Sequence, residues 1–239
     1  MQCPPKTKYK IQIVEDHPLT ALGLRSILDA EIDIYISGMS SNISDALNIA
    51  IKTKPDLLIS DISLPGRSGF ELVQDLKARC PHIPTLIFSM HSELTYARRA
   101  LEVGARGYVM KSDSSVNIMT AIRTVLAGGI FVSPLISTQI MEYVSLQSKG
   151  RRNGVDALSP KEFEVFQLFA EGIPTTNIAQ RLNMSPKTVD SHREHIKQKL
   201  EIQTMSELIA FSARWCSSQV EPAHSCHTRT FQPIPPSNS

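Results

Sequence analysis

The sequence is poor in the features that assign a protein to a class at sight. It holds four cysteines in 239 residues, at positions 3, 80, 216 and 226. None forms a close pair, which argues against a disulfide framework or a zinc motif and suits a reducing compartment. No stretch approaches the roughly 18 consecutive apolar residues of a membrane helix. The opening Met1-Gln-Cys-Pro-Pro-Lys lacks the apolar centre of a signal peptide. The expectation is a soluble, cytoplasmic protein with no membrane partner.

Charge of one sign is scarce too. The formal net charge is +2, and residues 1–132 hold 14 Lys/Arg against 13 Asp/Glu while residues 151–216 hold 9 against 8. Bulk charge therefore neither demands nor excludes nucleic acid, and any contact with DNA must come from local placement. The composition, 41% hydrophobic and 20% charged, is ordinary for a globular chain. Its length favours two small domains over one large core.

Short apolar runs alternate with segments of helical period from Lys10 to about Ala127. The runs are Ile11–Glu15, Ile34–Gly38, Leu57–Asp61, Thr85–Ser89 and Gly107–Met110. Runs without polar alternation are what a central parallel strand shows when both of its faces are covered. Between and after them, Leu19–Leu28, Ala46–Ile51, Phe70–Leu76, Tyr96–Val103 and Val116–Leu126 space their apolar residues at three and four, as amphipathic helices do. Five βα units follow, forming a doubly wound five-stranded parallel sheet.

Polar residues close these runs: Glu15 and Asp16, Asp61, Ser89 and Lys111. In open α/β sheets the site lies beyond the carboxyl ends of the strands, so these groups should converge. Two adjacent acids and a third can gather Mg2+. A carboxylate beside that ion can take a phosphoryl group while an ammonium and a hydroxyl hold the transferred oxygens. Asp61 is the candidate nucleophile, Lys111 the ammonium and Ser89 the hydroxyl. The competing reading of each alone is a polar residue where a strand leaves the core.

The ordered set Val14-Glu-Asp-His-Pro18, Ser60-Asp-Ile-Ser-Leu-Pro-Gly66, Phe88-Ser89 and Gly107-Tyr-Val-Met-Lys111 resembles the receiver domain of two-component response regulators, a flavodoxin-like fold, over about residues 9–130. The resemblance implies Asp61 as phosphoacceptor, Glu15, Asp16 and Asp61 with the Ser63 backbone carbonyl as metal ligands, and Ser89 with Tyr108 as a switch pair. On phosphorylation Ser89 would move towards the phosphoryl group and Tyr108 would swing inward, reshaping the surface from Glu93 to Val109. A sensor histidine kinase or phosphotransfer protein is then the implied donor. Ser63 and His91 occupy positions that vary in that family and bear on how fast the phosphate is lost.

Residues 131–155 read as a linker with one helical stretch, Leu135–Leu146, ending in Gln-Ser-Lys-Gly-Arg-Arg-Asn-Gly. Four short helical segments follow. Ser159-Pro-Lys-Glu162 and Thr204-Met-Ser-Glu207 are capping boxes, and Ser185-Pro186 sets an N-cap before a first-turn proline. Thr175–Leu182, the turn Asn183-Met184 and Pro186–Leu200 form a helix-turn-helix pattern. On its second helix Val189, Ile196 and Leu200 mark the inward stripe. Lys187, Asp190, Ser191, Glu194, Lys197 and Gln198 point outward, and a generic solvated helix would show the same period.

Leu158-Ser-Pro-Lys-Glu162, Phe169-Ala-Glu-Gly172, Ile178-Ala179, Ser185-Pro-Lys-Thr-Val189, His192-Arg193 and Lys199-Leu200 resemble the LuxR-type output domain over about residues 156–214. The whole chain is thus similar to NarL/FixJ-like regulators, which implies binding to double-stranded DNA. Lys187, Thr188, Asp190, Ser191, His192, Arg193, Glu194, Lys197 and Lys199 are the candidate DNA contacts. Asp190 and Glu194 depart from relatives that carry basic residues there, and acids near phosphates weaken binding. In such domains the last helix pairs two copies. Leu208, Ile209 and Phe211 are the candidate homodimer residues, with core packing as the alternative. Residues 216–239, rich in Ser, Pro and Thr, are expected to be disordered.

Two other readings compete. A magnesium-dependent phosphatase with an aspartyl nucleophile would carry a second acid two residues later, where this chain has Ser63. A phosphate-independent DNA-binding regulator would have no need of the full set Asp61, Ser89 and Lys111. The expectation is therefore a phosphoacceptor that is not an enzyme beyond self-phosphorylation and self-dephosphorylation.

Overall fold

The computed structural model describes residues 8–147, 154–182 and 184–218. Five strands, β1 (Tyr9–Val14), β2 (Ile34–Ser40), β3 (Leu57–Ser60), β4 (Thr85–Ser89) and β5 (Gly107–Met110), form a parallel sheet in the order β2-β1-β3-β4-β5. Every residue of β3 and β4 is buried, the result expected of runs with no polar alternation. Strand order reverses between β1 and β3, so the crevice at the switch point lies beyond Val14 and Ser60. The next residues in the chain are the acids Glu15, Asp16 and Asp61.

Helices α1 (Pro18–Asp29) and α5 (Ser115–Leu126) cover one face of the sheet, with Leu24, Leu28, Ile118 and Ile122 packed on Ile11, Ile13 and Ile59. Helices α2 (Ile43–Thr53) and α3 (Gly69–Arg79) cover the other, where Ala46, Leu47, Leu72 and Leu76 meet Val14 and Leu58. Helix α4 (Glu93–Val103) stands beside α3. Gly69, the first residue of α3, touches the pocket directly: a Cβ there would lie 2.0 Å from the Asp61 carbonyl oxygen. Only glycine lets the helix begin this close to the strand.

The expected linker is more structured than its composition suggested. Phe131 exchanges backbone hydrogen bonds with the β5 edge, Tyr108 N–H to Phe131 O at 2.9 Å and Phe131 N–H to Arg106 O at 3.0 Å. Helix α6 (Pro134–Gln147) then packs against α4 through buried Ile136. Residues 148–153, the polar part of that linker, lie outside the described residues, as do Asn183 of the turn and the expected tail from 219 onward.

A 3-10 turn, Gly154–Ala157, leads into α7 (Pro160–Ala170), α8 (Thr175–Arg181), α9 (Pro186–Leu200) and α10 (Met205–Ser218). The signals read from sequence act as expected. Ser159 and Glu162 cap each other reciprocally, Thr204 and Glu207 do the same, and Ser185 accepts from Thr188 N–H at 3.0 Å. Helix α10 runs to Ser218, so Cys216, Ser217 and Ser218 end a helix and do not begin a disordered tail. Among the described residues no helix is long and apolar enough to cross a membrane.

Candidate phosphoacceptor pocket and DNA-binding face

The carboxyl ends of β1, β3 and β5 converge as the topology requires. Lys111 Nζ lies 2.8 Å from Asp61 Oδ2 and 2.7 Å from Glu15 Oε2. Burial works to lower the Lys111 pKa, but bonds to Asp61 and Glu15 outweigh it and hold the ammonium above its usual value. Asp61 is buried, and its Oδ1 accepts from Ile62 N–H at 2.6 Å. His17, overlooked in the sequence as a member of the site, sets Nδ1 2.9 Å from Asp16 Oδ1 and 3.1 Å from Glu15 Oε1.

Ligand atoms of Glu15, Asp16, His17 and Asp61 lie within 4.8 Å of one another. Glu15 Oε2 and Asp16 Oδ1 are buried without an aligned hydrogen-bond donor, despite their close nitrogen neighbours. The three carboxylates of that set are hard oxygen donors that fit a hard divalent cation, with the His17 nitrogen at their edge. Ser63 follows two residues after Asp61, and its Oγ meets His91 Nε2 at 2.9 Å.

At the other end of the chain, α8 and α9 form the expected helix-turn-helix. Val189 and Ile196 are fully buried, while Lys187, Thr188, Ser191, Glu194 and Lys199 are exposed and Asp190, His192, Arg193 and Lys197 half-buried. The outward face of α9 is open.

Two family models match the chain: the response regulator receiver domain over residues 11–123 and the bacterial regulatory proteins of the LuxR family over residues 156–212. The transcriptional activator protein ExaE of Pseudomonas putida is 34% identical over 199 residues, covering 83% of this chain and 93% of its own. The oxygen regulatory protein NreC of Staphylococcus carnosus is 30% identical over 210 residues, covering 86% and 97%. Among solved structures, RcsB of Salmonella enterica serovar Typhimurium bound to the rprA promoter with phosphomimetic BeF3- is similar at a TM-score of 0.62 and 25% identity, over 86% of this chain and 98% of that one. The chain is a response regulator of the NarL/FixJ family. It joins a receiver domain to a LuxR-type DNA-binding domain, the build of a transcriptional regulator in a two-component system.

In this response regulator the two domains are packed together. One apolar cluster runs from Phe70, Tyr96, Ala97 and Ala100 of the receiver into Phe163, Phe166 and Phe169 of α7. Arg99, 3% exposed, sets its guanidinium 3.7 Å above the Phe163 ring and donates to the Val155 carbonyl at 2.8 Å. Arg98 pairs with Asp156, and Lys161 bonds Glu71 at 2.8 Å. Burial pushes the Glu164 carboxyl up, against the pull of Lys161 at 3.1 Å. A cleft of about 730 Å³ remains over the pocket, with Asp16, Ser63 and His91 on one wall and Gln167, Glu171 and Arg181 on the other.

Three expectations change against this geometry. Tyr108 was expected to swing inward on phosphorylation, yet its ring is already fully buried, and its hydroxyl donates to the His91 carbonyl at 2.8 Å. Burial holds that phenol well above its ordinary pKa. Ser89, also fully buried, accepts from His91 N–H at 3.3 Å.

Lys199 was a candidate DNA contact, but its ammonium is bonded to Glu162 at 2.6 Å, where it ties the end of α9 to the start of α7. Leu208 was a candidate dimer residue, but it is 0% exposed and belongs to the output-domain core. Ile209, at 38%, remains on the surface, and Phe211 is partly buried, its ring edge-on to Phe166 at 6.1 Å. Phe211 and Trp215 of α10 are used within the chain, packed on Phe163 and Phe166 of α7.

On the candidate DNA face, two of the cations, Arg193 and Lys197, are paired with the two unusual acids. Arg193 meets Asp190 at 2.7 Å and Glu194 at 3.2 Å, and Lys197 meets Glu194 at 3.1 Å. Thr188 Oγ1 and Ser191 Oγ bond within the helix and its cap. His192 is half-buried, and burial lowers its pKa.

Proposed function

We propose that Asp61 accepts a phosphoryl group from the phosphohistidine of a sensor kinase or phosphotransfer protein, and that this governs a homodimer's binding to double-stranded DNA. The observation that carries the reading is the Lys111 ammonium bridging Asp61 and Glu15 at the switch point of the sheet. Mg2+ would be held by Glu15, Asp16, Asp61 and the Ser63 carbonyl, and it supplies neutralising charge to the phosphoryl oxygens. An Asp61 carboxylate oxygen bonds to phosphorus as the phosphorus–nitrogen bond of the donor breaks. Lys111 then holds one phosphoryl oxygen and Ser89 donates its hydroxyl to another.

Two routes from that event to DNA are conceivable: uncovering of α9 or pairing through α10. The second is favoured, because the groove-facing side of α9 is open while the domains are packed. By contrast, Ala213, Trp215, Cys216 and Ser217 of α10 line clefts against the receiver. Release of α10 and pairing through Ile209 would set two α9 helices on a two-fold DNA site. Light scattering after size-exclusion chromatography, with and without acetyl phosphate and Mg2+, tests this. Wild type should pass from monomer to dimer and Ile209→Glu should stay monomeric; equal dimer content in both samples of wild type would sink the reading.

A further inference from the structure

Between the Asp61 pocket and the output domain lies a side chain that is neither a phosphoryl or metal ligand nor part of the DNA-binding face. His91 follows β4 and joins four partners. Its Nε2 meets Ser63 Oγ at 2.9 Å, its N–H donates to Ser89 Oγ at 3.3 Å and its carbonyl accepts from the Tyr108 hydroxyl at 2.8 Å. Its ring stacks on Tyr96, with centroids 4.6 Å apart and planes 26° from parallel. Tyr96 is one of the receiver residues that reach across the domain boundary. Its hydroxyl donates to Gln167 of α7, and its ring meets Phe163 edge-on at 5.5 Å.

We propose that His91 is the positioning residue through which phosphorylation of Asp61 loosens the packed output domain, by way of the Tyr96 stack and the Tyr96–Gln167 bond. A phosphoryl group on Asp61 draws the Ser89 hydroxyl towards its oxygens and competes with His91 for the hydroxyl of Ser63, two residues along. His91 then loses an acceptor for its N–H and the partner of its ring nitrogen together. The ring shifts, Tyr96 loses its stacked face and the bond to Gln167 is released. The pocket and α7 are thus joined by an element with two arrangements, which is the physical requirement for coupling. The inference rests on the reading of Asp61 as phosphoacceptor.

The chain contains one tryptophan, Trp215. It packs edge-on against Phe163 and lines a cleft with Met90, His91 and Leu94, so its emission reports the packed state. Wild type, His91→Ala and Tyr96→Phe are treated with acetyl phosphate and Mg2+ to completion, and intact mass and Trp215 emission are read on each sample. In wild type the emission should shift to the red with the gain of one phosphoryl group. His91→Ala should show that red-shifted emission before phosphorylation and no further shift after it. Tyr96→Phe keeps the stack but loses the bond to Gln167; it should be phosphorylated like wild type and start from an intermediate emission. If His91→Ala does not melt as a folded protein by circular dichroism, Tyr96→Phe alone decides. A wild-type emission and a full phosphorylation shift in the variants would overturn the coupling role while leaving Asp61 as phosphoacceptor. No mass gain in wild type would overturn both.

Discussion

Arg99 is a buried cation at the boundary between the domains, and its removal in two ways separates charge from packing. It is 3% exposed and, among the described residues, has one hydrogen bond, to the Val155 carbonyl, while its Nε has no hydrogen-bond partner there. Burial first, and then the neighbouring charge of Arg98, push its pKa down to about 10. That displacement weighs roughly 3 kcal/mol against the charged form. The contact over Phe163 returns about 2 kcal/mol for a desolvated cation–π pair. The hydrogen bond adds about 2 kcal/mol.

Charge burial and charge-specific contacts are therefore close to balance, and the aliphatic stem decides the outcome. Arg99→Met keeps that stem's volume and should change the packed-to-released equilibrium by no more than about 1 kcal/mol, the cost of the orphaned Val155 carbonyl. Arg99→Ala also leaves a void beside Phe163 and should cost about 3 kcal/mol in all, roughly a hundredfold in that equilibrium. Trp215 emission with the radius of gyration from small-angle scattering reads the equilibrium. A released alanine variant and a packed methionine variant are expected. Equal release of both would mean that charge, not packing, holds the boundary, and refute the reasoning.

Further consequences follow from other parts of the structure. Gly69→Ala sets a Cβ 2.0 Å from the Asp61 carbonyl. It should therefore lower the thermal midpoint and abolish phosphoryl uptake, read by circular dichroism and intact mass. Asp190→Asn removes the partner of Arg193 at 2.7 Å and should strengthen binding to sheared duplex DNA. The slope of log affinity against log salt should steepen by about 0.9 for each additional phosphate neutralised, measured by fluorescence anisotropy; an unchanged slope would mean Arg193 does not reach the backbone. Burial works to raise the Glu162 pKa above 4.5, but bonds from Lys199 and Ser159 prevail and the carboxyl is held below that value. Its stabilising contribution is present above pH 4.5 and lost as pH falls through the lowered value. The thermal midpoint of wild type should therefore drop more steeply below that pH than that of Glu162→Gln, in paired melting curves.

The parts legible from sequence share one physical basis: local signals whose outcome depends little on distant residues. The buried runs at Leu57–Ser60 and Thr85–Ser89 became strands covered on both faces, and their order placed Asp61, Glu15 and Lys111 in contact. The capping boxes at Ser159 and Thr204 fixed the starts of α7 and α10 for the same reason. What stayed hidden depends on partners far along the chain. Lys199 reads as a free cation at a helix end until Glu162, 37 residues earlier, is seen to hold it. Leu208 reads equally as a dimer residue or a core residue until it is found fully buried in the cluster that α7 shares. Arg99 did carry a signal, a charge three residues after Tyr96 on the inner side of α4, but its partners Val155 and Phe163 lie in the other domain.

The most direct test of the account is the intact mass of wild type and of Asp61→Ala after incubation with acetyl phosphate and Mg2+. The account predicts one added phosphoryl group on wild type, stable to the mass measurement and removed by hydroxylamine as an acyl phosphate is, and none on the variant. An equal gain in both proteins would place the phosphoryl group on another residue. No gain in either would contradict a phosphorylation switch at Asp61 and leave a DNA-binding regulator controlled by other means.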